Sequence, residues 1–520
     1  MGELKIDWKD LFKPLENLAP GAHGLQIKKE IIPIVFVPGI MGSRLKAAKG
    51  GDKIWDPDDL VWMATNYGMV WDTAAKKKKK AVGDKFDKDR LVPFDDDAKH
   101  NAKIDGKHTI PEWDPPSKRG WGTVAFSFYE PILARLQNNA WSPAVKAAFD
   151  LPVHALGYNW SASNADSGKK LKEYVDALKK KYKAKQVIIV THSMGGLVTG
   201  GALWIHSLKA DVAGVVHGVM PATGAGTLYW RMKGGLERNG FASRIAAWVL
   251  GVDGKETTAM VGNMPGGLQL LPSQRYTANN GEAKWLQFGD FDRVVKSKRP
   301  ETGDPYEEIY KNKTDYWRAA DPDYLDPGKK KKKTGMEGDD AAWSDYEAFI
   351  DMAKEFHEKV KMEREVPCES FYGTGKVNGG PTTDRVLFSV EEQAYEKKGD
   401  TVVKGSLRGA LSKIWSSIWG AGEWIGQQAT AVGDWWHSRG GFTARVIKGN
   451  TSIVARLDGS DGTGDATVAE SSGRAVKGRS PKEFEGIEHG DAYKSKEVLD
   501  YTALMVEKFC IEKIKKETGG

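Results

Sequence analysis

A run of apolar, β-branched residues that ends in a serine stands out in the hydrophobic pattern of this chain. Residues 187–198 read Val-Ile-Ile-Val-Thr-His-Ser-Met-Gly-Gly-Leu-Val, and four consecutive apolar residues predict a strand that is buried on both faces. The two glycines after Ser193 allow a helix to leave the strand at a tight angle. The pattern therefore predicts a sharp strand-to-helix turn with Ser193 at its tip.

Other segments continue this alternation of strands and helices. Apolar runs at 31–37, 153–158 and 212–219 predict buried strands, and residues 167–183 carry leucine, tyrosine and valine at helical spacing. Buried strands that alternate with helices are typical of a parallel sheet covered by helices on both faces. The predicted fold class is therefore α/β, with the chemistry at the carboxyl ends of the strands.

Two stretches depart from the alternation and define the predicted domain organisation. Residues 225–365 contain helical patterns over a length too great for a loop, which predicts a large helical cap, and residues 391–440 form a tryptophan-rich segment that we interpret as a lid. The predicted parts are an N-terminal peripheral segment (1–30), the first part of the core (31–224), the cap insertion (225–365), core strands (366–390), the lid (391–440) and the last part of the core (441–520).

The predicted lid concentrates tryptophan on an amphipathic pattern. Residues 407–436 place Trp415, Trp419 and Trp424 among small polar and basic residues at helical spacing. Indole has an apolar body and one polar N–H, so this composition is found at lipid interfaces. Amphipathic helices more generally pack on a protein core. Peripheral contact with a membrane or an acyl chain and simple core packing are both compatible with the segment.

Composition and charge narrow the classes of function. The 520 residues are 40% hydrophobic and 28% charged, as in a globular protein, and no apolar run approaches the roughly 18 residues that a membrane span needs. The formal net charge of +7 would be −3 without two runs of five lysines, at 76–80 and 329–333. Such runs are typical of solvated loops, so we expect exposed insertions and no nucleic-acid partner.

Cysteines and acidic clusters give no sign of a metal or disulfide framework. The only cysteines are Cys368 and Cys510, which excludes a multi-cysteine zinc site but leaves one bridge between them open. The acidic clusters at 56–59 and 95–97 lack the alternating ligands and distal glutamate of an EF-hand loop, and we interpret them as solvated turns. No cofactor or metal is expected.

The first residues lack the basic-then-apolar order of a signal peptide. The sequence therefore predicts a protein that remains in the cytoplasm of the producing cell unless a dedicated secretion system exports it.

Partners for Ser193 are needed, because a serine hydroxyl is a weak nucleophile until a histidine takes its proton and amide hydrogens hold the oxyanion. Residues 458–468 follow a predicted strand and supply aspartates, and His489 comes later in the chain. The order serine, acid, histidine is the one expected on an α/β-hydrolase sheet. The glycine-flanked loop at 38–43 ends an early strand, and its Met41 is the candidate for one oxyanion donor.

Five motifs together resemble the α/β-hydrolase superfamily, in the branch of lipases and acyltransferases similar to lecithin:cholesterol acyltransferase and the bacterial GPI-inositol-deacylase-like hydrolases. The motifs are Val-Pro-Gly-Ile-Met-Gly-Ser at 37–43, Thr-His-Ser-Met-Gly-Gly at 191–196, Tyr-Gly-Thr-Gly at 372–375, Gly-Asp-Ala-Thr-Val at 464–468 and His489. Segments 156–164 and 216–221 also resemble type VI secreted lipase effectors of Gram-negative bacteria, which lack signal peptides. Thr191 and Ala466 depart from the usual glycines, and neither change removes a side chain that the chemistry uses.

The resemblance implies a serine hydrolase of carboxylic esters that forms an acyl-enzyme intermediate. Ser193 would be the nucleophile and His489 the general base, while the amides of Met41 and Met194 would form the oxyanion hole. The lid and cap favour a lipid ester as substrate. An effector of this kind would have an immunity protein as its partner.

Three aspartates compete for the role of orienting the histidine. Asp384 precedes a predicted strand instead of following one, and Asp461 lies between Ser460 and a glycine, as in an exposed turn. Asp465 is preferred because it stands three residues before a valine, as in the Asp-x-x-Val arrangement of the resembling lipases.

Two alternatives to the hydrolase interpretation remain. An acyltransferase would use the same residues with an alcohol in place of water. A non-catalytic membrane-binding or partner-binding module on a hydrolase core belongs to a different class, and the presence of a serine, an acid and a histidine in the right order argues against it. His192 competes with His489 only by proximity, since it must point away from the serine beside it.

Overall fold

The computed structural model describes residues 29–68, 74–236, 249–328, 340–361, 366–377, 382–394, 443–448, 451–459, 462–476 and 481–518. Most of the predicted N-terminal segment, the lysine run at 329–333 and nearly all of the predicted lid, including Trp415, Trp419 and Trp424, lie outside the described residues.

The strands of the described part of the chain run from β1 to β16. They are β1 (Glu30–Ile31), β2 (Ile34–Val37), β3 (Leu45–Ala47), β4 (Lys53–Trp55), β5 (Leu91–Pro93), β6 (Phe149–Asp150), β7 (Val153–Ala155), β8 (Val187–His192), β9 (Val212–Gly218), β10 (Leu286–Gly289), β11 (Val295–Arg299), β12 (Cys368–Thr374), β13 (Val386–Ala394), β14 (Thr443–Lys448), β15 (Thr451–Gly459) and β16 (Lys482–Glu485).

The helices are α1 (Leu60–Met63), α2 (Ala74–Ala81), α3 (Ala98–His108), α4 (Phe126–Gln137), α5 (Pro143–Ala148), α6 (Asn164–Tyr182), α7 (Gly195–Trp204), α8 (Gly226–Gly234), α9 (Gly254–Val261), α10 (Pro265–Leu268), α11 (Pro322–Leu325), α12 (Asp340–Lys359), α13 (Glu470–Arg474) and α14 (Lys496–Thr518). Short 3₁₀ or π turns lie at Ala64–Gly68, Pro116–Arg119, Trp121–Thr123, Lys209–Asp211, Tyr306–Tyr310 and Ala492–Lys494.

The central sheet has the order β16-β12-β9-β8-β2-β7, and each neighbouring pair is parallel. Successive residues of β8 enter opposite cores: Val187 and Ile189 join the cluster that includes α6 and α7, and Ile188 and Val190 join the one that includes α4 and α14. Burial on both faces explains why β8 is apolar throughout its first four residues. The predicted parallel sheet with helices on both faces is confirmed.

A second sheet, with the order β11-β10-β13-β15-β14, contains strands that the sequence had placed elsewhere. The predicted core strands at 366–390 separate, because β12 joins the central sheet whereas β13 pairs antiparallel with β15 and parallel with β10. Phe388 and Leu457 pack with Trp285 and Ile350 in a third hydrophobic cluster. The insertion after residue 224 is therefore not purely helical, since β10 and β11 give it a sheet component.

The first lysine run is not the exposed insertion that its composition predicted. It forms α2, which contacts α9. Lys77 and Lys78 are each only 5% exposed. The Lys77 ammonium lies 2.8 Å from a Glu256 carboxylate oxygen, and the Lys78 ammonium lies 3.2 Å from Asp326. Acidic partners in the insertion thus neutralise two buried lysines, although the composition of the run predicted solvated side chains.

The predicted acidic turn at 56–59 also differs, because Asp56 is buried. Both of its carboxylate oxygens accept hydrogen bonds of 2.9 Å from the Arg44 guanidinium. Burial opposes ionisation of Asp56, but the charges of Arg44 and Lys53 outweigh it and hold the pKa of this carboxyl below its usual range. Asp56 is therefore a buried ion-pair partner of Arg44 and holds residues 56–59 against the core.

The two cysteines form no bridge: Cys368 and Cys510 are both free and buried, and burial raises the pKa of the Cys510 thiol to about 12. Within the described ranges, no helix is long and apolar enough to cross a membrane.

Candidate active site

The turn between β8 and α7 carries Ser193 in a left-handed backbone conformation, with φ at 52°. This conformation is costly for a residue with a side chain and persists where the surroundings fix it. The Ser193 amide donates to the Gly218 carbonyl at 2.8 Å, which ties the turn to β9. A Cβ atom on Gly195 would lie 2.3 Å from the Val37 carbonyl oxygen, so only glycine permits this approach of the helix to β2. Strand, turn and helix together present the serine at the carboxyl edge of the sheet.

Thr191 occupies the first position of the turn motif, where glycine is usual. Its hydroxyl donates to Nδ1 of His217 at 3.0 Å, and its carbonyl accepts the Tyr493 hydroxyl at 2.9 Å. Burial lowers the pKa of His217 to about 4, so this imidazole is neutral and able to accept. The threonine is thus accommodated by a polar partner on the neighbouring strand.

Ser193, His489 and Asp465 form one hydrogen-bonded chain. The Ser193 hydroxyl donates to Nε2 of His489 at 2.7 Å, and Nδ1–H of His489 donates to Oδ2 of Asp465 at 2.7 Å. Oδ1 of Asp465 accepts the amides of Thr467 and Val468 at 3.0 and 2.7 Å. Asp465 is 1% exposed and Ser193 4%. This arrangement can activate a hydroxyl for nucleophilic attack.

The other candidate acids and the other nearby histidine lie differently. Asp384 accepts the Asn279 amide at 3.0 Å with each carboxylate oxygen and so stabilises a loop of the insertion. Asp461 lies outside the described residues. The two ring nitrogens of His192 are engaged by other groups, Nδ1 by the Tyr129 hydroxyl and Nε2 by the His489 carbonyl, so Ser193 pairs with His489 instead.

Met41 and Met194 flank the serine from two elements. Met41 has φ at 64°, and its carbonyl accepts the Trp55 indole N–H at 2.7 Å, which ties the loop to β4. Met194 is the N-cap residue of α7. Neither main-chain N–H of these two methionines donates to another residue in the described part of the chain. Two such amides near a nucleophile can stabilise a developing oxyanion.

Ser193 and His489 open into a cavity of about 280 Å³. Its wall comes partly from the core and partly from the insertion, and apolar side chains dominate it. Arg231, at the end of α8, is the guanidinium on this wall. Among the described residues, the lining side chains from the insertion are Ala225, Leu228, Arg231, Leu236, Leu250, Val261 and Leu270. An apolar wall with a guanidinium on it favours a largely apolar ligand.

Tyr129, Trp55 and Arg231 shape this site but were not predicted from the sequence. Tyr129 lies 63 residues before its partner His192, and its apolar neighbours in α4 gave it the pattern of an ordinary core position. Trp55 directly precedes the acidic cluster that was interpreted as a solvated turn, and Arg231 lies in the predicted cap. Across the described ranges, no cluster of three histidine, cysteine or carboxylate side chains could hold a metal ion.

Comparison with known proteins adds structural rather than sequence evidence. No family model and no curated protein matches the sequence. The chain superposes on the α/β-hydrolase Tle4 in the crystal structure of the Tle4–Tli4 complex with a TM-score of 0.66 and 23% identity, over 93% of this chain and 99% of that one. The fold is that of an α/β-hydrolase.

A second solved structure, of the Bacillus licheniformis lipase BlEst2 in propeptide form, is 13% identical over 71% of this chain and 58% of that one. Its TM-score of 0.20 is too low to establish a shared fold.

Proposed function

We propose that this protein is a serine hydrolase that cleaves carboxylic esters of lipids, as lipases and phospholipases do. The observation that carries the proposal is the continuous chain of hydrogen bonds from Asp465 through His489 to Ser193, which opens into an apolar cavity. The α/β-hydrolase fold supports it, because the turn with Ser193 lies where such folds carry their nucleophile.

Acylation would begin when Ser193 Oγ attacks the ester carbonyl carbon while Nε2 of His489 takes the hydroxyl proton. Asp465 would hold the tautomer of His489 and stabilise the imidazolium. The amides of Met41 and Met194 would receive the negative charge on the former carbonyl oxygen. The bond to the leaving alcohol then breaks as His489 returns the proton to it, which leaves an acyl ester on Ser193.

Deacylation would repeat these steps with water. His489 takes a proton from the water, the hydroxide oxygen attacks the acyl carbonyl, and Ser193 leaves with the proton returned from His489. A carboxylic acid is released and the free serine is restored. An alcohol in place of water would make the same site an acyltransferase.

The cavity wall supports a lipid as the acyl donor. An acyl chain that packs against the leucine and valine side chains is removed from water. This burial contributes about 0.8 kcal/mol of binding free energy for each CH₂ group. The Arg231 guanidinium supplies a charged donor on this wall, and arginine binds phosphate oxygens with paired hydrogen bonds. A glycerophospholipid combines both features.

Reaction with a fluorophosphonate probe tests the proposal directly. We expect covalent labelling at Ser193, mapped by mass spectrometry, and none in Ser193→Ala. Folded wild-type protein that resists the probe would contradict the enzyme and favour the binding module.

Product analysis with a phospholipid and an added long-chain alcohol then separates hydrolysis, which releases free fatty acid, from acyl transfer, which forms a new ester.

We infer further that the protein is a type VI secreted effector held in check by an immunity protein. The sequence motifs at 156–164 and 216–221 support this role, and the similarity to a chain solved in the Tle4–Tli4 complex is consistent with a protein partner. Growth arrest when the chain is directed to the periplasm of a host cell, abolished by Ser193→Ala, is the expected result. Equal toxicity of wild type and Ser193→Ala would contradict it.

A further inference from the structure

His192 and Tyr129 link three parts of the site that are distant in sequence. The Gly39 amide, on the loop that carries Met41, donates to the Tyr129 hydroxyl at 3.2 Å. The Tyr129 hydroxyl lies 3.1 Å from Nδ1 of His192, and Nε2 of His192 lies 2.9 Å from the main-chain carbonyl of His489. These hydrogen bonds therefore run from the loop at 38–43, here called the oxyanion loop, through His192 beside the serine, to the backbone of His489, the candidate general base.

The direction of each hydrogen bond follows from the chemistry of the groups. A carbonyl only accepts, so Nε2 of His192 must carry the hydrogen. Burial, with a smaller effect of the nearby His489, lowers the pKa of His192 to about 3, and the ring is neutral at ordinary pH. Nδ1 is then an acceptor and Tyr129 its donor. Burial raises the pKa of the Tyr129 phenol, which keeps this donor protonated.

The packing around His192 and Tyr129 leaves little room for another arrangement of these hydrogen bonds. A Cβ atom on Gly39 would lie 2.9 Å from Nδ1 of His192 and 3.0 Å from the Ser193 Cβ, and one on Gly42 would lie 2.6 Å from the Tyr129 hydroxyl. Glycines at both places let the oxyanion loop close on the histidine and the tyrosine. Tyr129 and His192 are 5% and 6% exposed.

We propose that His192 and Tyr129 are positioning residues, which fix the His489 backbone and the oxyanion loop relative to Ser193. This inference rests on the proposed function for its catalytic readout. Nε2–H of His192 holds the carbonyl of His489, while Asp465 holds the ring of the same residue from the other side. The Tyr129 hydroxyl donates to Nδ1 of His192 and at the same time accepts the Gly39 amide. Misplacement of a reacting group by about 1 Å can cost about 10²-fold in rate.

The test compares His192→Leu, His192→Gln and Tyr129→Phe with the wild type. Leucine fills the space but leaves the His489 carbonyl and the Tyr129 hydroxyl unpaired, whereas the glutamine amide can reach the position of Nε2 and restore the donor. Phenylalanine removes only the hydroxyl. We expect His192→Leu to lower kcat on a soluble ester by about 10²-fold with KM changed less than about twofold, and His192→Gln to recover at least about tenfold of this loss. Tyr129→Phe should lower kcat by about tenfold.

Two further measurements separate positioning from titration and from simple damage. The acid limb of the kcat/KM profile should keep its midpoint in His192→Gln, because the neutral His192 does not supply that limb. Hydrogen exchange of a peptide that spans 487–491 should accelerate in His192→Leu and Tyr129→Phe but not in His192→Gln. This exchange measurement does not depend on any activity.

The outcomes distinguish failure of the inference from failure of the proposed function. Wild type without esterase activity would end the proposed function, while the exchange pattern would still support or contradict the positioning role. The positioning role is overturned if folded His192→Leu keeps wild-type kcat and exchange, if His192→Gln is as impaired as His192→Leu, or if the acid limb disappears in His192→Gln.

Discussion

Asp465 and His489 are joined twice, through side chains and through the main chain. Nδ1–H of His489 donates to Oδ2 of Asp465 at 2.7 Å, and the His489 amide donates to the Asp465 carbonyl at 2.9 Å. Oδ1 of the same aspartate is occupied by the amides of Thr467 and Val468. The two carboxylate oxygens therefore have separate roles: one holds the loop and the other holds the imidazole.

Replacement of Asp465 by asparagine should abolish most activity and leave the fold intact. The asparagine oxygen can still accept the loop amides, but its NH₂ group would face Nδ1 of His489 and favour the tautomer with hydrogen on Nε2. That tautomer cannot take the Ser193 proton, and the corresponding change in a serine protease costs about 10⁴-fold in kcat. Turnover of a soluble ester measures the effect.

Asp384→Asn is the matched control, because Asp384 is also buried but accepts an amide of the insertion. We expect it to change kcat by less than about tenfold. Near-normal turnover by Asp465→Asn would assign the acid to another residue, with Asp461 as the next candidate.

Arg231 should determine preference for an anionic lipid headgroup. Arg231→Met is expected to lower kcat/KM for a glycerophospholipid by about 10-fold to 100-fold, the range of a lost hydrogen bond to a charged group. Hydrolysis of a neutral glyceride with the same acyl chains should change little. Arg231→Lys keeps the charge and should recover part of the loss. Equal losses on both lipids would show that Arg231 supports the cavity wall instead of binding the headgroup.

Local sequence patterns were sufficient to predict the central sheet and the three residues Ser193, Asp465 and His489 that the site brings together. The apolar run that forms β8, the glycines that follow Ser193 and the Asp-x-x-Val pattern at 465–468 are all short-range signals. Strand burial on both faces and close helix approach need particular residues at fixed spacing, so the sequence displays them directly.

Long-range partners explain what the sequence did not reveal. Lys77 meets Glu256 across 179 residues of chain, and no property of a lysine run indicates that an acid will cover it. In the second sheet Val386 likewise pairs with the distant Gly459 on one side and with Leu286 of the insertion on the other. Tyr129 has a helical core pattern, and only packing against the serine turn gives its hydroxyl a role.

The lysine helix α2 offers a direct test of buried against exposed charge. Removal of one partner from a buried pair leaves the other charge uncompensated and costs about 3–5 kcal/mol. Lys77→Gln, opposite Glu256, should destabilise the fold by an amount near the lower end of that range. The Lys79 side chain is 73% exposed and its nearest acid, Asp84, is 85% exposed. Lys79→Gln should therefore change the unfolding free energy by less than about 0.5 kcal/mol. Urea unfolding of the two variants compares them, and similar small effects would show that the α2 pairs contribute little.

His154 should make the folded protein less stable as the pH is lowered below neutrality. Its ring lies between the hydroxyls of Tyr174 and Tyr182, 3.1 Å from each. Burial, with the nearby charges of Arg119 and Lys181 adding to it, lowers the pKa of His154 to about 3. In the unfolded chain this imidazole titrates near pH 6.5. Between these two pH values the His154 imidazole is protonated in the unfolded state and neutral in the folded state. Stability is therefore lost as pH falls from about 6.5 toward 3.

The magnitude and the test follow from this linkage. Below pH 6.5 the limiting contribution of His154 is about 1.4 kcal/mol of unfolding free energy for each pH unit. His154→Gln carries no titrating group and can still hydrogen-bond to the tyrosines, so it should be the less stable protein at pH 7.5 and lose stability more slowly on acidification. Urea unfolding at pH 7.5, 6.5, 5.5 and 4.5 gives the two curves, which should converge as the pH falls because the other buried groups contribute equally to both. Curves that stay parallel over this range would mean that His154 takes up its proton in the folded protein as readily as in the unfolded chain.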